Sequence, residues 1–278
     1  MAVKYERYHL TDKAVKNHVD LLKKLKIPFI LELSNYTAKI TSDLYNIYFL
    51  KTEQSNQTFA AGAMLKAELK NVPPPDIDMN KNIYFNTNFN GIDFYADKVF
   101  NIDIKSAYAS ILYNEGYISL KLLRYLSKLP KQARLASVGM LASRKTKFIY
   151  TAGNDEPQKI EIVNPLSPFF YFAVQKTENI ISDLRQNILK ESYLFSWVDG
   201  IYFNNHNYVK VCERWLLEEY KLKSTFKELD TFEVKTKKDF YRITFNETES
   251  GKSKNFAVPL PETYFKKAMV NYLMKKKY

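Results

Sequence analysis

The stretch Phe100-Asn101-Ile102-Asp103-Ile104-Lys105-Ser106-Ala107-Tyr108-Ala109-Ser110-Ile111 changes character at one residue. Up to Asp103 it has the composition of an apolar strand; beyond Lys105 a tight turn leads straight into a helix. A carboxylate therefore sits at the carboxyl end of a strand, beside the free N–H groups of a helix start, where a cation and a phosphate can both be held. Taken alone, Asp103 reads equally as a helix cap or a solvated loop carboxylate.

Outward from this stretch a second aspartate occupies a turn. Phe195-Ser196-Trp197-Val198-Asp199-Gly200-Ile201-Tyr202-Phe203 reads as two strands hinged at Asp199-Gly200, and aspartate-glycine between apolar runs is a strong hairpin signal. Residues 83–89, 91–96 and 98–104 read as three short strands parted by Asn90-Gly91 and Asp97. Residues 106–113 form a helix start, and the spacing over 118–143 is helical with a break at Leu129-Pro130, so two helices meet at a bend. A strand over 148–151 precedes a helix over 177–191, whose stripe is Ile180, Ile181, Leu184, Ile188 and Leu189. Past the hairpin come a helix over 208–223, a strand pair over 230–235 and 240–245, and a basic helix over 261–278. Ahead of Pro73-Pro74-Pro75 lie an amphipathic helix over 11–26, a strand over 29–33 and an Ala-rich helix over 59–70. This order suits an α+β fold in which an antiparallel sheet carries helices on one face.

Composition narrows the chemistry. With 278 residues, 46% hydrophobic and 26% charged, the chain is globular and long enough for one large domain or two small ones. A single cysteine, Cys212, cannot form an internal disulfide, and with three scattered histidines (His9, His18, His206) it cannot build a Cys/His zinc cage. Any metal is therefore to be held by oxygen. The net charge of +12 favours a polyanionic partner such as nucleic acid. No apolar run approaches the roughly 18 residues that span a bilayer, and residues 1–12 carry charges where a signal peptide has its apolar core. A cytoplasmic protein, in a bacterial cytosol or in the host's if viral, with no membrane partner is expected.

The segment Asp103-x-x-Ser106-x-Tyr108-x-Ser110-Ile111 resembles motif A of family B DNA polymerases, Asp-x-x-Ser-Leu-Tyr-Pro-Ser-Ile, with Ala107 and Ala109 replacing Leu and Pro. The Asp199 hairpin is similar to the family's motif C, Tyr-x-Asp-Thr-Asp-Ser; Asp199 falls on the second aspartate and Trp197 stands where the first would be. Between them, Lys131-Gln132-Ala133-Arg134-Leu135-Ala136-Ser137-Val138-Gly139 resembles motif B, Lys-x-x-x-Asn-Ser-x-Tyr-Gly, matching at Lys131 and Gly139. On a helix Lys131, Arg134 and Val138 share one face, and Arg124 or Lys128 could serve as the cation instead of Lys131. Val234-Lys235-Thr236-Lys237-Lys238-Asp239-Phe240-Tyr241 looks like the family's Lys-Lys-x-Tyr segment with one extra residue.

The resemblance covers roughly 95–245 and implies a minimal DNA polymerase. Two Mg²⁺ or Mn²⁺ ions would be bridged by Asp103 and Asp199 with the Ile104 carbonyl, and Ser106, Tyr108, Arg124, Lys128, Lys131 and Arg134 would contact the nucleotide. Lys237, Lys238 and Tyr241 would grip the primer-template. The implied partners are a DNA primer-template, deoxyribonucleoside triphosphates and accessory replication proteins. The implied domains are an amino-terminal domain of unassigned role (1–72), a Pro-rich linker (73–82), a palm (83–113 and 146–245), short fingers (114–145) and a thumb-like segment (246–278). The residues before Pro73 are too few for a proofreading exonuclease. Two rival readings stand beside this one: a catalytically inactive, polymerase-like nucleic-acid-binding protein, in which Trp197 marks loss of the metal site, and an unrelated basic scaffold protein.

Overall fold

The computed structural model describes residues 6–34, 37–50, 56–78, 85–87, 89, 92–154, 156–237 and 240–259. In chain order these form β1 (Glu6–His9), α1 (Asp12–Lys24), β2 (Phe29–Leu33), β3 (Thr37–Ser42), β4 (Asn46–Leu50), α2 (Asn56–Leu69), β5 (Phe85–Thr87), β6 (Phe94–Ile104) and α3 (Ala107–Asn114). There follow α4 (Leu120–Lys128), α5 (Lys131–Gly139), β7 (Arg144–Tyr150), β8 (Gln158–Val163), α6 (Ser167–Asp183), β9 (Tyr193–Trp197), β10 (Gly200–Phe203), α7 (Tyr208–Tyr220), β11 (Ser224–Thr236), β12 (Phe240–Glu247) and β13 (Ser253–Pro259). The fold is α+β. Among the described residues no helix is long and apolar enough to cross a membrane.

The chain divides into two compact units, Met1–Met79 with Glu115–Phe172, and Asn80–Asn114 with Ala173–Tyr278. In the first, a six-stranded sheet runs β1-β4-β3-β2-β7-β8. Strict alternation buries Phe29 and Leu31, Ala38 and Ile40, Ile47 and Phe49 on one face. That face packs with Val15 and Leu22 of α1, whose start is capped by Thr11 accepting from the Ala14 N–H at 3.1 Å. Helix α2 packs against both α4 and α5. The α4 start is held twice, by Ser119 accepting from Leu122 N–H at 3.2 Å and by Ser119 donating N–H and hydroxyl to Glu68, each at 2.7 Å.

The second unit is built on an antiparallel sheet ordered β13-β12-β11-β6-β10-β9-β5. Along β6, Phe100, Ile102 and Ile104 face one side with Ile201 and Phe203 of β10. Phe100 stacks there on Phe226, and α7 packs against β6 and β11 through its buried Val209, Cys212 and Leu216. Cys212 is 1% exposed, and burial pushes its thiol up to about 12. The opposite side carries Val99, Asn101 and Asp103. At its far end Phe89, Phe195, Phe232, Tyr241 and Phe245 form an aromatic core, with Phe195 stacked on Tyr202 at 4.1 Å.

Several sequence expectations change here. The strands expected over 91–96 and 98–104 are one, β6, because β11 pairs with it in a single register from Phe94 to Ile104, leaving out only Asp97, which stays within the strand. The helix expected over 177–191 begins at Ser167 and ends as a π turn at Leu184–Leu189. The strand expected over 148–151 is β7, which pairs with β2 in the first unit. The segments expected as an amino-terminal domain (1–72) and as short fingers (114–145) lie in the first unit, Asn114 excepted. The turn expected at Asn90-Gly91 and the helix expected over 261–278 lie outside the described residues.

Candidate functional site

Asp103 is the penultimate residue of β6. After Ile104 the chain turns sharply: the Lys105 N–H donates to Lys223 O at 2.8 Å, and Ser106 takes a left-handed φ of 51°. Helix α3 then begins, with the Ser110 N–H donating to Ser106 O at 2.9 Å and its hydroxyl to Lys105 O at 3.0 Å.

Asp199 lies in the two-residue turn between β9 and β10, where Trp197 pairs with Gly200. Register places Gly200 opposite Asp103, and the Ile104 N–H donates to the Asp199 carbonyl at 3.0 Å. The hairpin turn is thus tied to the end of the central strand. A Cβ on Gly200 would lie 3.3 Å from Asn101 Nδ2, 3.4 Å from Tyr202 Cε2 and 3.5 Å from Asp103 Oδ1, so the Asp103 carboxylate rests against bare backbone. Asn101, 5% exposed, donates across the strands to Ile201 O at 3.2 Å. Thr225 of β11 donates its hydroxyl to the Asp103 carbonyl at 3.3 Å.

Tyr202 reports the local field. Its phenol is pushed well above its ordinary value, first by burial and then by the negative charge of Asp103, Asp199 and Glu247. Two half-buried, acceptor-only carboxylates suit a hard divalent cation of the Mg²⁺ type, which is commonly held by one or two carboxylates and completes its shell with water and substrate phosphate oxygens. Among the described residues there is no group of three or more His, Cys, Asp or Glu side chains placed to hold a metal.

The other expected residues fall into three places. Ser106 and Tyr108 are half-buried at the start of α3, next to Asp103 in the chain. Arg124 and Lys128 on α4 and Lys131 on α5 are exposed, and Arg134 is half-buried, all in the first unit; Val138, expected on the same open face, is 3% exposed and belongs to the helix packing. Lys237 is exposed beside the β11–β12 turn, and Lys238 lies outside the described residues. Tyr241, expected beside the primer, is 2% exposed, with its ring edge-on to Phe89 at 5.6 Å. It is a core residue, and the exposed cations of that hairpin are Lys235, Lys237 and Arg242. Trp197 is 36% exposed at the mouth of the turn.

Sequence reading passed over Asn101, Tyr202, Thr225 and Lys227. Period-2 alternation places Asn101 and Tyr202 on the aspartates' side, but Thr225 and Lys227 join it only through the β11–β6 register, which no local pattern announces. No known protein family's sequence profile matches the chain, and no curated protein is significantly similar to it.

Proposed function

We propose that the chain is a template-directed DNA polymerase of minimal family B type, acting on a DNA primer-template and deoxyribonucleoside triphosphates. One observation supports this above the rest: Asp103 at the end of the central antiparallel strand stands opposite Gly200, with the Asp199 turn bonded to the next residue of that strand. In this reading the second unit is a palm, and Asp103, Asp199 and the Ile104 carbonyl hold two Mg²⁺ or Mn²⁺ ions. Such ions, when bound, lower the pKa of a primer 3′-hydroxyl, polarise the α-phosphate and stabilise the departing pyrophosphate. The N–H groups opening α3 near Ser106 face the triphosphate, and the Tyr108 ring takes the space that a ribose 2′-hydroxyl would need. Lys237 and Lys238 hold the primer backbone.

Primer extension with the purified chain, on DNA and RNA templates with Mg²⁺ or Mn²⁺, tests the reading. Asp103→Asn and Asp199→Asn should each abolish nucleotide addition and leave DNA binding intact, since a neutral amide cannot bridge two divalent ions while loss of negative charge does not weaken attraction to phosphate. Substantial activity in either variant removes the site assignment. A second reading, a polymerase-like nucleic-acid-binding protein without catalysis, draws on Trp197 in place of the first hairpin aspartate. It predicts salt-sensitive DNA binding with no metal-dependent incorporation by the wild-type chain.

A further inference from the structure

Among the described residues, strand β8 closes the six-stranded sheet and pairs with β7 on one side only. All its residues are exposed, and Ile160, Ile162 and Val163 remain 37%, 40% and 47% exposed. Natural edge strands are usually blunted by proline, a bulge or charge on the apolar side. Residues 158–163 contain no proline, and their ladder to β7 runs without a register shift. Such an edge offers a row of unpaired backbone groups flanked by apolar side chains, which is the requirement for strand addition.

We propose that β8 is the docking edge for a second copy of this chain, the two copies pairing antiparallel over residues 158–163 about a two-fold axis at Ile160. The inference stands independently of the polymerase reading. The Asn164 N–H donates to Ser143 O at 3.2 Å, so by alternation the backbone groups of residues 158, 160 and 162 face β7, and those of Lys159, Glu161 and Val163 face outward. An isologous antiparallel pair sets one residue opposite itself. Centring on Lys159 or Glu161 puts like charges face to face, which destabilises the pair. Centring on Ile162 sets Glu161 opposite Val163 and shortens the overlap. Centring on Ile160 sets Lys159 of each copy opposite Glu161 of the other and packs Ile160 on Ile160.

Charge complementarity therefore selects one register. The two side chains already reach each other within a single copy, Lys159 Nζ lying 3.5 Å from Glu161 Oε1. In the paired sheet each exchanges that exposed contact for the partner's. Val163 falls opposite Pro157 of the copy, whose carbonyl can accept the Val163 N–H and which has no N–H of its own to leave unpaired.

Sedimentation velocity of the full chain over a concentration series tests this. The wild type should show a monomer–dimer equilibrium. Lys159→Glu and Glu161→Lys, each placing two like-charge pairs across the edge, should weaken association about tenfold, and the double reversal should restore it. Both positions are exposed, so unchanged melting temperatures should accompany these shifts. Amide exchange gives a second readout: in the dimer the N–H groups of Lys159, Glu161 and Val163 become protected. A wild type that stays monomeric throughout, or a dimer indifferent to the reversals, overturns the proposal.

Discussion

Val198 opens the turn of the Asp199 hairpin with a φ of 57°, a region in which β-branched residues are rare and which hairpins of this length reserve for glycine at their first turn position. A left-handed L-residue costs roughly 1–2 kcal/mol. Val198→Gly should accordingly raise stability by about 1 kcal/mol, seen as a higher urea midpoint at unchanged m-value. The strain is borne by the residue that precedes Asp199 in the turn. Gly200 makes the opposite case. A methyl group there meets Asn101, Tyr202 and the Asp103 carboxylate between 3.3 and 3.5 Å, contacts that small shifts can relieve. Gly200→Ala should cost less than ~1 kcal/mol of stability, and on the polymerase reading should lower primer extension only a few-fold, because the atom that must give is Asn101 Nδ2 at 3.3 Å while Asp103 Oδ1, at 3.5 Å, is at ordinary contact distance. Parallel melts and single-turnover extension separate the two effects.

Among the elements, β11, β12 and β13 are clamped at one residue. Glu247, opposite Leu229 in the ladder, accepts from Lys227 at 2.8 Å, from Lys254 at 2.5 Å and from the Ser250 hydroxyl at 2.9 Å. These donors, Lys227 foremost, hold its carboxyl at about 2 in place of 4.5. A carboxyl depressed by folding binds its proton more readily in the unfolded chain. The stability it contributes is therefore complete above 4.5 and disappears as the pH falls towards about 2. Chemical denaturation across that window should show a decline that Glu247→Gln flattens. Legibility also divides by element. Helix α1 and strand β2 were readable because their periods are clean and a cap or turn bounds them. Strands β3 and β4 were missed because Thr, Lys, Ser and Asn alternate with only Ala38, Ile40, Ile47 and Phe49 buried, and β8 because it has no buried face at all. The start of α6 was signalled by Ser167-Pro168, a helix-opening pair that the apolar stripe further on obscured. The candidate site was half legible: each aspartate shows in its own segment, but their apposition depends on β10 lying beside β6, a long-range pairing.

Across the whole molecule the excess of 42 basic over 30 acidic side chains should govern affinity for DNA. Binding to primer-template should fall steeply with salt and vary little with sequence, and neutralising Lys237 and Lys238 together should reduce the slope of log affinity against log salt by about 2. An unchanged slope in fluorescence anisotropy titrations would place the primer backbone elsewhere. The division into two units was hidden from sequence because the segments before Met79 and after Glu115 join one sheet while the central strand between them belongs to the other. The buried Cys212 thiol, held protonated by its raised pKa, has a practical side here. As the chain's one cysteine it should react only slowly with maleimide dyes, which would make the protein a ready background for site-directed labelling. Leu44→Cys in the first unit and Leu217→Cys in the second, at positions 55% and 51% exposed, would carry a donor and an acceptor. Energy transfer between them then reports the distance between the two dyes, with and without added primer-template DNA.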